Sequence, residues 1–517
     1  MIRSADQQKV LTVIAVARRD WLILVLVAGS LAPIWLFRYI PTQDGPAHLY
    51  NSQILSQYLN PDYNFQQFYS LRATLFPNWI AHALLSLSMF LFPPLIAEKV
   101  VISLYVILFP LAIAYLLEAV DPGSRWMAVF SFPLIFNYLF LMGFYSFAFA
   151  LPVFAVVIGY WWVRKDTLNW RNVSVINGLL VILFFCHLVP YVSAIFAILL
   201  LAALVLRNQW TKLAWSAAAV LPSTLLFVNY YIGSYMDSNG PLSFERSRIP
   251  DLLSDLVQMK VLVSYDDTQQ VFAWAYAVLL LVMMLTTIWQ GRGGAKSLRA
   301  WLDKRGAFLF LLLAMLAAYL VLPWSIGPGG WLNDRLAMLI GVVLLAWLRK
   351  DFSARVRRVI VVSIVVIALA NIAWLSYDFF RLNQGLERFT AAISHVGRNH
   401  VILPIFFDAN GQSSRVGIYV NAANYYALDN GNINLGNYEV QFDYFPVRFN
   451  DRFVPPVAED DWVQVIHWEP ERIDLCGYAP LLDYVMTWGI ERLYPLMKCY
   501  DVVYSSPDLM LKLYQPR

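Results

Sequence analysis

Two ionisable residues follow directly on the first strongly apolar segment of the chain. Asp44 and His48 lie just after residues 21–40. A carboxylate at the boundary between lipid and water is costly unless it has a task. The task that suits it is that of a general base, which accepts the proton of a reacting hydroxyl. The alternative is that Asp44 caps a helix beginning at Pro46, and both roles can hold together. If a helix begins at Pro46, His48 lies on the same side of that helix as Asp44. His48 could then tune the acidity of Asp44 or bind a phosphate, or it could simply be an interfacial aromatic residue.

Three cationic or titratable side chains could bind an anion at the same membrane face. Arg335 lies at the start of an apolar segment, directly after a glycine-rich stretch. A guanidinium at this position could bind a phosphate through two parallel hydrogen bonds. An ion pair with Asp334 or another carboxylate is the alternative. Lys99 is a second phosphate candidate, although the neighbouring Glu98 or snorkelling would also explain it. His187 lies at a predicted turn between two apolar segments, where a substrate contact and a structural hydrogen bond are both reasonable.

Candidate metal ligands are few. Asp266 and Asp267 end a polar stretch just before an apolar one, and paired carboxylates can bind a divalent cation. Adjacent acids at such a junction are more often helix caps. The sequence therefore predicts no resident metal and identifies no certain cofactor, and it leaves a divalent cation open at this pair.

The composition requires a membrane around these residues. Of 517 residues, 59% are hydrophobic and only 14% are charged, and the apolar residues come in runs of about twenty. A net charge of +4 spread over short loops gives no surface for nucleic acid. The chain is predicted to be an α-helical polytopic membrane protein of about 11 transmembrane helices. The predicted spans are 21–40, 95–118, 126–141, 144–163, 172–188, 190–206, 213–232, 271–289, 307–324, 333–348 and 358–378.

Basic residues set the predicted orientation. Arg18 and Arg19 precede the first span, and most other basic residues fall in alternate loops, which places the N-terminus in the cytoplasm. Residues 41–94 and 233–270 are then large outer loops. Within the first loop the apolar stretch 75–92 is predicted to be an interfacial or re-entrant helix, because an extra crossing would invert every later loop. The alternative is that residues 75–92 do cross the membrane and that one of the other predicted spans does not.

The composition changes after residue 378. Residues 1–378 form the predicted membrane domain, and residues 379–517 form a predicted extracytoplasmic α/β domain with short strands, turns and helices. Cys476 and Cys499 both lie in it. They could form a disulfide in an oxidising compartment or remain two buried thiols. Its polar residues, including Asn421, could bind a glycan, although exposed turns have the same composition.

The arrangement resembles the GT-C superfamily of membrane glycosyltransferases, of a bacterial type. The resemblance rests on Asp44 with Gly45, Pro46 and His48 after the first span, and on the stretch 76–82, which ends in His82. Glu98 and Lys99 at the mouth of the second span add to it, as does the ending 483–489. Many members of the superfamily have two adjacent acids in the first loop. Here Asp44 is followed by glycine, which argues against a metal-dependent version.

The resemblance implies an inverting transfer of sugar from a polyprenyl-phosphate carrier to an envelope acceptor on the outer face of the membrane. Asp44 would be the catalytic base. His48, His82, Lys99, His187, Asn333, Asp334 and Arg335 would bind substrate. The partners would be the lipid-linked sugar and a lipid, glycan or protein acceptor, and the location a bacterial inner membrane with a periplasmic C-terminal domain.

Three other functions remain open at this stage. A transporter of lipid-linked saccharide usually shows inverted repeats and broken helices, and the sequence shows neither. A polysaccharide polymerase or ligase would depend on arginines and a histidine in outer loops more than on one acid after the first span. A scaffold would use the outer domain to bind a partner, with no activity.

Overall fold

The computed structural model describes residues 5–72, 75–237, 244–291, 305–326, 329–442, 444–450, 462–489 and 494–517. Parts of two stretches discussed above, residues 238–243 and 327–328, lie outside the described residues.

Helices dominate the described chain up to residue 396, and strands are concentrated after it. The α-helices are α1 (Ala5–Leu36), α2 (Gly45–Gln57), α3 (Phe65–Phe68), α4 (Ile80–Ser88), α5 (Pro94–Val120), α6 (Tyr138–Leu141), α7 (Tyr145–Arg164), α8 (Trp170–Cys186), α9 (Leu188–Val205), α10 (Trp210–Asp237), α11 (Ile249–Val257), α12 (Gln270–Gly291), α13 (Ala307–Val321), α14 (Leu332–Trp347), α15 (Ala354–Phe389), α16 (Ile393–Val396), α17 (Trp462–Trp468), α18 (Leu475–Tyr478) and α19 (Tyr494–Cys499).

Shorter elements complete the described chain. The 3-10 helices are Arg125–Leu134, Lys260–Leu262, Asp267–Gln269, Ala422–Ala427, Tyr438–Gln441, Pro470–Arg472 and Ala479–Leu481. The strands are β1 (Tyr69–Leu71), β2 (Phe244–Glu245), β3 (Ser325–Ile326), β4 (Val401–Phe406), β5 (Ile433–Asn434), β6 (Val447–Phe449), β7 (Tyr484–Trp488), β8 (Tyr500–Ser505) and β9 (Leu511–Pro516).

Several helices are compatible with a multi-pass membrane protein. Within the described residues, six are long and apolar enough to cross a bilayer. These six stretches are Pro94–Val120, Tyr145–Arg164, Leu188–Val205, Trp210–Gly233, Asp267–Gln290 and Ala354–Val396. Three shorter apolar helices are Trp21–Leu36, Trp170–Cys186 and Ala307–Val321. The predicted count of about eleven spans is not confirmed.

The segment 126–141 does not form the continuous apolar helix that its composition predicts. It is a 3-10 helix followed by the single turn α6, and all of it except Trp126 is buried. Pro133 lies inside the 3-10 helix, where it cannot donate a backbone hydrogen bond. Asn137 caps α6 by accepting from the backbone N–H of Phe140, and Gly143 after it has a φ of +93°. Sequence hydropathy does not register these breaks, because most of the residues around them are apolar.

The apolar stretch 75–92 forms a helix too short to cross a membrane. Helix α4 has nine residues, which at 1.5 Å per residue is about 13 Å, against a hydrocarbon core of about 30 Å. Helix α11 is equally short, and in it Leu252 is buried while Ile249 and Val257 are exposed. Both are consistent with helices that lie along a surface.

The C-terminal region contains a five-stranded mixed sheet, with strands in the order β5, β4, β7, β9, β8. Strand β4 pairs in parallel with β5 and β7, and β9 pairs antiparallel to β7 and β8. Helix α15 continues past the predicted boundary at residue 378 and ends at Phe389, whose ring packs on Phe406 and Trp488 of the sheet. Cys476 and Cys499 form a disulfide.

Residues 41–94, which the sequence predicts to be the first outer loop, pack against the C-terminal region. The side-chain amides of Asn51 on α2 and Asn437 form two reciprocal hydrogen bonds, each 2.9 Å long. The hydroxyl of Tyr50 donates to the backbone carbonyl of Asn432 at 2.8 Å, and β1 pairs with β6. A buried hydrogen bond contributes roughly 1 kcal/mol. These contacts therefore fix α2 and the residues before it against the C-terminal region.

Candidate functional site

The backbone around Asp44 is held by the broken segment before α7. The backbone N–H groups of Gln43 and Asp44 donate to the carbonyls of Leu141 and Met142, both at 3.1 Å. Gly143 then passes so close that a Cβ added there would lie 2.7 Å from the backbone nitrogen of Asp44. Because Gly143 also has a positive φ, only glycine fits this approach without strain. Irregular backbone is tolerated at this depth because it is buried in protein.

The side chain of Asp44 does not cap the helix that follows it. Asp44 precedes α2, yet it makes no side-chain hydrogen bond to the helix N-terminus, so the predicted capping role is wrong. Its Oδ1 accepts from the amide of Asn421 at 2.9 Å and from Gln43 at 3.4 Å, and Tyr438 lies beside it. The carboxylate is therefore held by side chains rather than by helix backbone.

Burial tunes the acidity of Asp44. The residue is 8% exposed, and burial raises the pKa of its carboxyl group to about 6, while His48 opposes the rise. The pKa lies below 7, so the carboxylate is mostly ionised at neutral pH. It is also much more basic than an ordinary aspartate, which is the property a general base needs.

Two histidines from the first outer loop share one carboxylate from the C-terminal region. His48 Nδ1 lies 2.5 Å from Oε1 of Glu439, and His82 Nε2 lies 2.9 Å from Oε2. His48 is on α2, His82 is on α4, and Glu439 is in the 3-10 helix 438–441. His82 and Glu439 are fully buried, and His48 is nearly so. We refer to His48, His82 and Glu439 as the His–Glu–His cluster.

The charges of the cluster are strongly coupled. Burial alone would raise the pKa of Glu439, but His82 and His48 outweigh it and hold the pKa of this carboxyl group well below its usual range. Burial alone would lower the pKa of His48, but Glu439 outweighs it and raises the pKa. Glu439 is therefore an anion that needs a positive charge on its histidine side.

A second buried carboxylate lies on the other side of the Asp44 loop. The hydroxyl of Tyr145 donates to Oε1 of Glu98 at 2.7 Å and lies 3.0 Å from the hydroxyl of Thr42. A Cβ at Gly45 would collide with Thr42, Tyr145 and Glu98 at once. The glycine after Asp44, which the sequence showed only as a missing second acid, is required by this packing.

Arg335 lies beside Phe144. Its Nη1 donates to the carbonyl of Gly330 at 2.6 Å, and its guanidinium lies 5.0 Å from the ring centre of Phe144, which follows Gly143. Tyr444 interacts electrostatically with both Arg335 and Asp44. The Nε of Arg335 is buried and has no hydrogen-bond partner among the described residues.

The other predicted substrate-binding residues make structural contacts in the described chain. Asn333 donates to the carbonyls of Tyr319 and Leu322 at the end of α13. Lys99 donates to the carbonyl of Phe37 at 2.5 Å. The remaining two are His187, whose Nδ1 caps α9 by accepting from the N–H of Val189, and Asp334, which interacts electrostatically with Arg415.

The acidic pair 266–267 does not form a group of metal ligands. Asp266 caps the following 3-10 helix by accepting from the N–H of Thr268, and its other oxygen lies 3.2 Å from Arg381. Asp267 is exposed. In the part of the chain that the structure describes, the His–Glu–His cluster is the group of His, Cys, Asp and Glu side chains close enough to hold a metal ion.

Sequence reasoning missed Glu439 and Tyr438 and did not connect Asn421 with Asp44. Glu439 is separated from His48 by 391 positions, and Asn421 from Asp44 by 377. Nothing local distinguishes this glutamate from the other polar residues around it. The available signal was weaker: Asn-rich and Tyr-rich composition in a region next to a membrane domain.

Comparison with known proteins supplies no relative. No protein-family model matches the chain, and no curated protein is significantly similar to it.

Proposed function

We propose that the chain is an integral-membrane glycosyltransferase that takes a sugar from a polyprenyl-phosphate carrier and transfers it, with inversion, to a hydroxyl of an envelope acceptor. The observation that carries the proposal is the state of Asp44. Its carboxylate is buried and held by Asn421 but does not cap its helix, and burial raises its pKa to about 6. An acid kept in this state is suited to accept a proton.

The proposed reaction needs a base on one side and a cation on the other. Asp44 accepts the proton of the acceptor hydroxyl while that oxygen forms a bond to the anomeric carbon. The bond from that carbon to the phosphate oxygen breaks, and its electron pair leaves with the lipid phosphate. Arg335 is suited to stabilise the leaving phosphate, because its buried Nε has no partner among the described residues and a guanidinium can donate two parallel hydrogen bonds.

The proposed location is a bacterial inner membrane, with a cytoplasmic N-terminus and the C-terminal region in the periplasm. Two observations support this orientation. Basic residues such as Arg164 and Lys165 end α7 on one side, as the positive-inside rule expects of the cytoplasmic face. The disulfide between Cys476 and Cys499 suits an oxidising compartment on the other side.

One observation favours a second function, the movement of a lipid-linked saccharide across the membrane. Transporters often build their sites from discontinuous helices. The described segment 125–141 is broken and buried, and it binds the backbone of the Asp44 loop. A transporter would move the labelled lipid across the bilayer without forming a new glycosidic bond.

The test is a transfer assay on membranes that contain the protein. Membranes are supplied with radiolabelled polyprenyl-phosphate sugars, and labelled products are separated from the donor. A product that requires the wild-type chain and is lost in Asp44→Asn supports the transferase. Label that changes membrane side but remains on its carrier supports the transporter and overturns our proposal.

A further inference from the structure

We propose that the His–Glu–His cluster binds one divalent transition-metal ion, of which Zn²⁺ fits the ligands best. This inference goes beyond glycosyl transfer and does not depend on it, because metal binding is measured without any substrate. Two imidazoles and one carboxylate are a known ligand set for Zn²⁺, with one further position left for water or a substrate oxygen. Hard cations such as Mg²⁺ prefer oxygen ligands and would be disfavoured here.

The geometry requires only a small adjustment. The three ligand atoms lie within 4.8 Å of one another, from three different elements of the fold. Zinc bonds to nitrogen and oxygen are about 2.0–2.2 Å long, which puts neighbouring ligand atoms of a tetrahedral site about 3.3 Å apart. His48 and His82 lie 2.5 and 2.9 Å from the two different oxygens of Glu439, so each of these pairs would separate by less than 1 Å. Ligand atoms that now lie as far as 4.8 Å apart would approach by about 1.5 Å.

The position of His48 favours a cation between its ring and Glu439. Nδ1 of His48 lies 2.5 Å from a carboxylate oxygen of Glu439, and Nε2 of His82 lies 2.9 Å from the other oxygen. A ring nitrogen without a proton and a carboxylate oxygen are both acceptors, and they repel at this distance unless a proton or a metal ion lies between them.

A metal here would join three parts of the chain. His48 follows Asp44 by one helical turn, His82 is on the short helix α4, and Glu439 belongs to the C-terminal region. Binding would therefore lock the first outer loop to the C-terminal region and fix the helix that begins after Asp44.

The experiment uses the full chain, purified in detergent without a polyhistidine tag and stripped with a chelator. ZnCl₂ is added back, unbound ion is removed, and the metal content is measured by mass spectrometry together with the unfolding temperature. We expect about one zinc per chain and a higher unfolding temperature with zinc. Co²⁺ in place of zinc should give the visible absorption of a four-coordinate nitrogen–oxygen site.

The decisive variant is His82→Gln. The glutamine amide nitrogen can take the place of Nε2 and still donate to Glu439, so a hydrogen-bonded cluster survives while the imidazole ligand is lost. We expect zinc affinity to fall at least tenfold, since even changes outside the ligands cost 10- to 100-fold. The matched control is His395→Gln at an exposed histidine, which should keep its zinc. The proposal is overturned if stripped wild type takes up no stoichiometric zinc, or if His82→Gln binds zinc as tightly as wild type.

Discussion

Replacing Asp44 by asparagine should stop catalysis without weakening the fold. A general base typically contributes about 10²- to 10⁴-fold to a rate, which corresponds to about 2.7–5.4 kcal/mol of activation free energy. Asparagine has the same size, and its carbonyl oxygen can still accept from the amide of Asn421. The backbone bonds to Leu141 and Met142 do not involve the side chain and remain. The loss should therefore appear in kcat.

The stability of this variant gives an internal check. Burial raises the pKa of Asp44 above its value in the unfolded chain, so ionised Asp44 destabilises the folded state at neutral pH. A neutral asparagine removes that penalty. We expect the unfolding temperature of Asp44→Asn to equal or exceed that of wild type, which would exclude misfolding as the cause of lost activity.

The assay compares initial rates of sugar transfer at saturating donor and equal protein levels. Asp62→Asn is the matched control, because Asp62 is an exposed acid in the same outer loop. It should retain the wild-type rate. If Asp44→Asn keeps its rate within about threefold of wild type, below the 10²-fold expected of a base, the reasoning is refuted.

Three further outcomes follow from the packing. Gly143→Ala should lower the yield and unfolding temperature of purified protein, because its Cβ would lie 2.7 Å from two backbone nitrogens, whereas Gly178→Ala, with nothing within 4 Å, should leave both unchanged. Cys476→Ser removes a disulfide that closes a loop over 23 residues and should destabilise the C-terminal region by about 3 kcal/mol. The variant should therefore be digested faster by proteases, and a wild-type rate of proteolysis would contradict this. Arg335→Lys should lower kcat/KM for the lipid-linked donor about tenfold, because an ammonium cannot reproduce a bidentate guanidinium contact with the leaving phosphate, and an unchanged kcat/KM would remove Arg335 from this role.

Local chemistry made some elements predictable. The sequence predicted a helix within residues 75–92, where the nine-residue α4 lies, and short strands after residue 378, where β4 to β9 lie. In each case the pattern that determines the element lies within it. The prediction of a continuous helix over residues 126–141 failed. The composition of this segment is that of a membrane span, but Pro133 and Gly143 interrupt the helix.

Only those site residues that precede the C-terminal region were predictable from the sequence. Asp44, His48 and His82 are conspicuous because charged and titratable residues are rare near apolar segments. Their partners lie in a polar region where such residues are common. Asn421 and Glu439 can be recognised as site residues only in the folded structure. There they contact Asp44 and His48, which precede them by more than 370 positions in the sequence. No local periodicity encodes that contact, so sequence reasoning offered a helix cap as the alternative role for Asp44 and did not foresee the amide of Asn421.

The C-terminal region is half of the site rather than an appendage to it. Asn421 holds the carboxylate of Asp44, and Glu439 binds both histidines of the first outer loop. The reciprocal amide pair of Asn51 and Asn437 fixes the distance between the two halves. Buried polar groups of this kind are costly unless each is satisfied. Separating the halves would expose Asp44 to water and remove the burial that raises its pKa. The proposed chemistry therefore depends on the packing of the C-terminal region against residues 41–94 as much as on Asp44 itself.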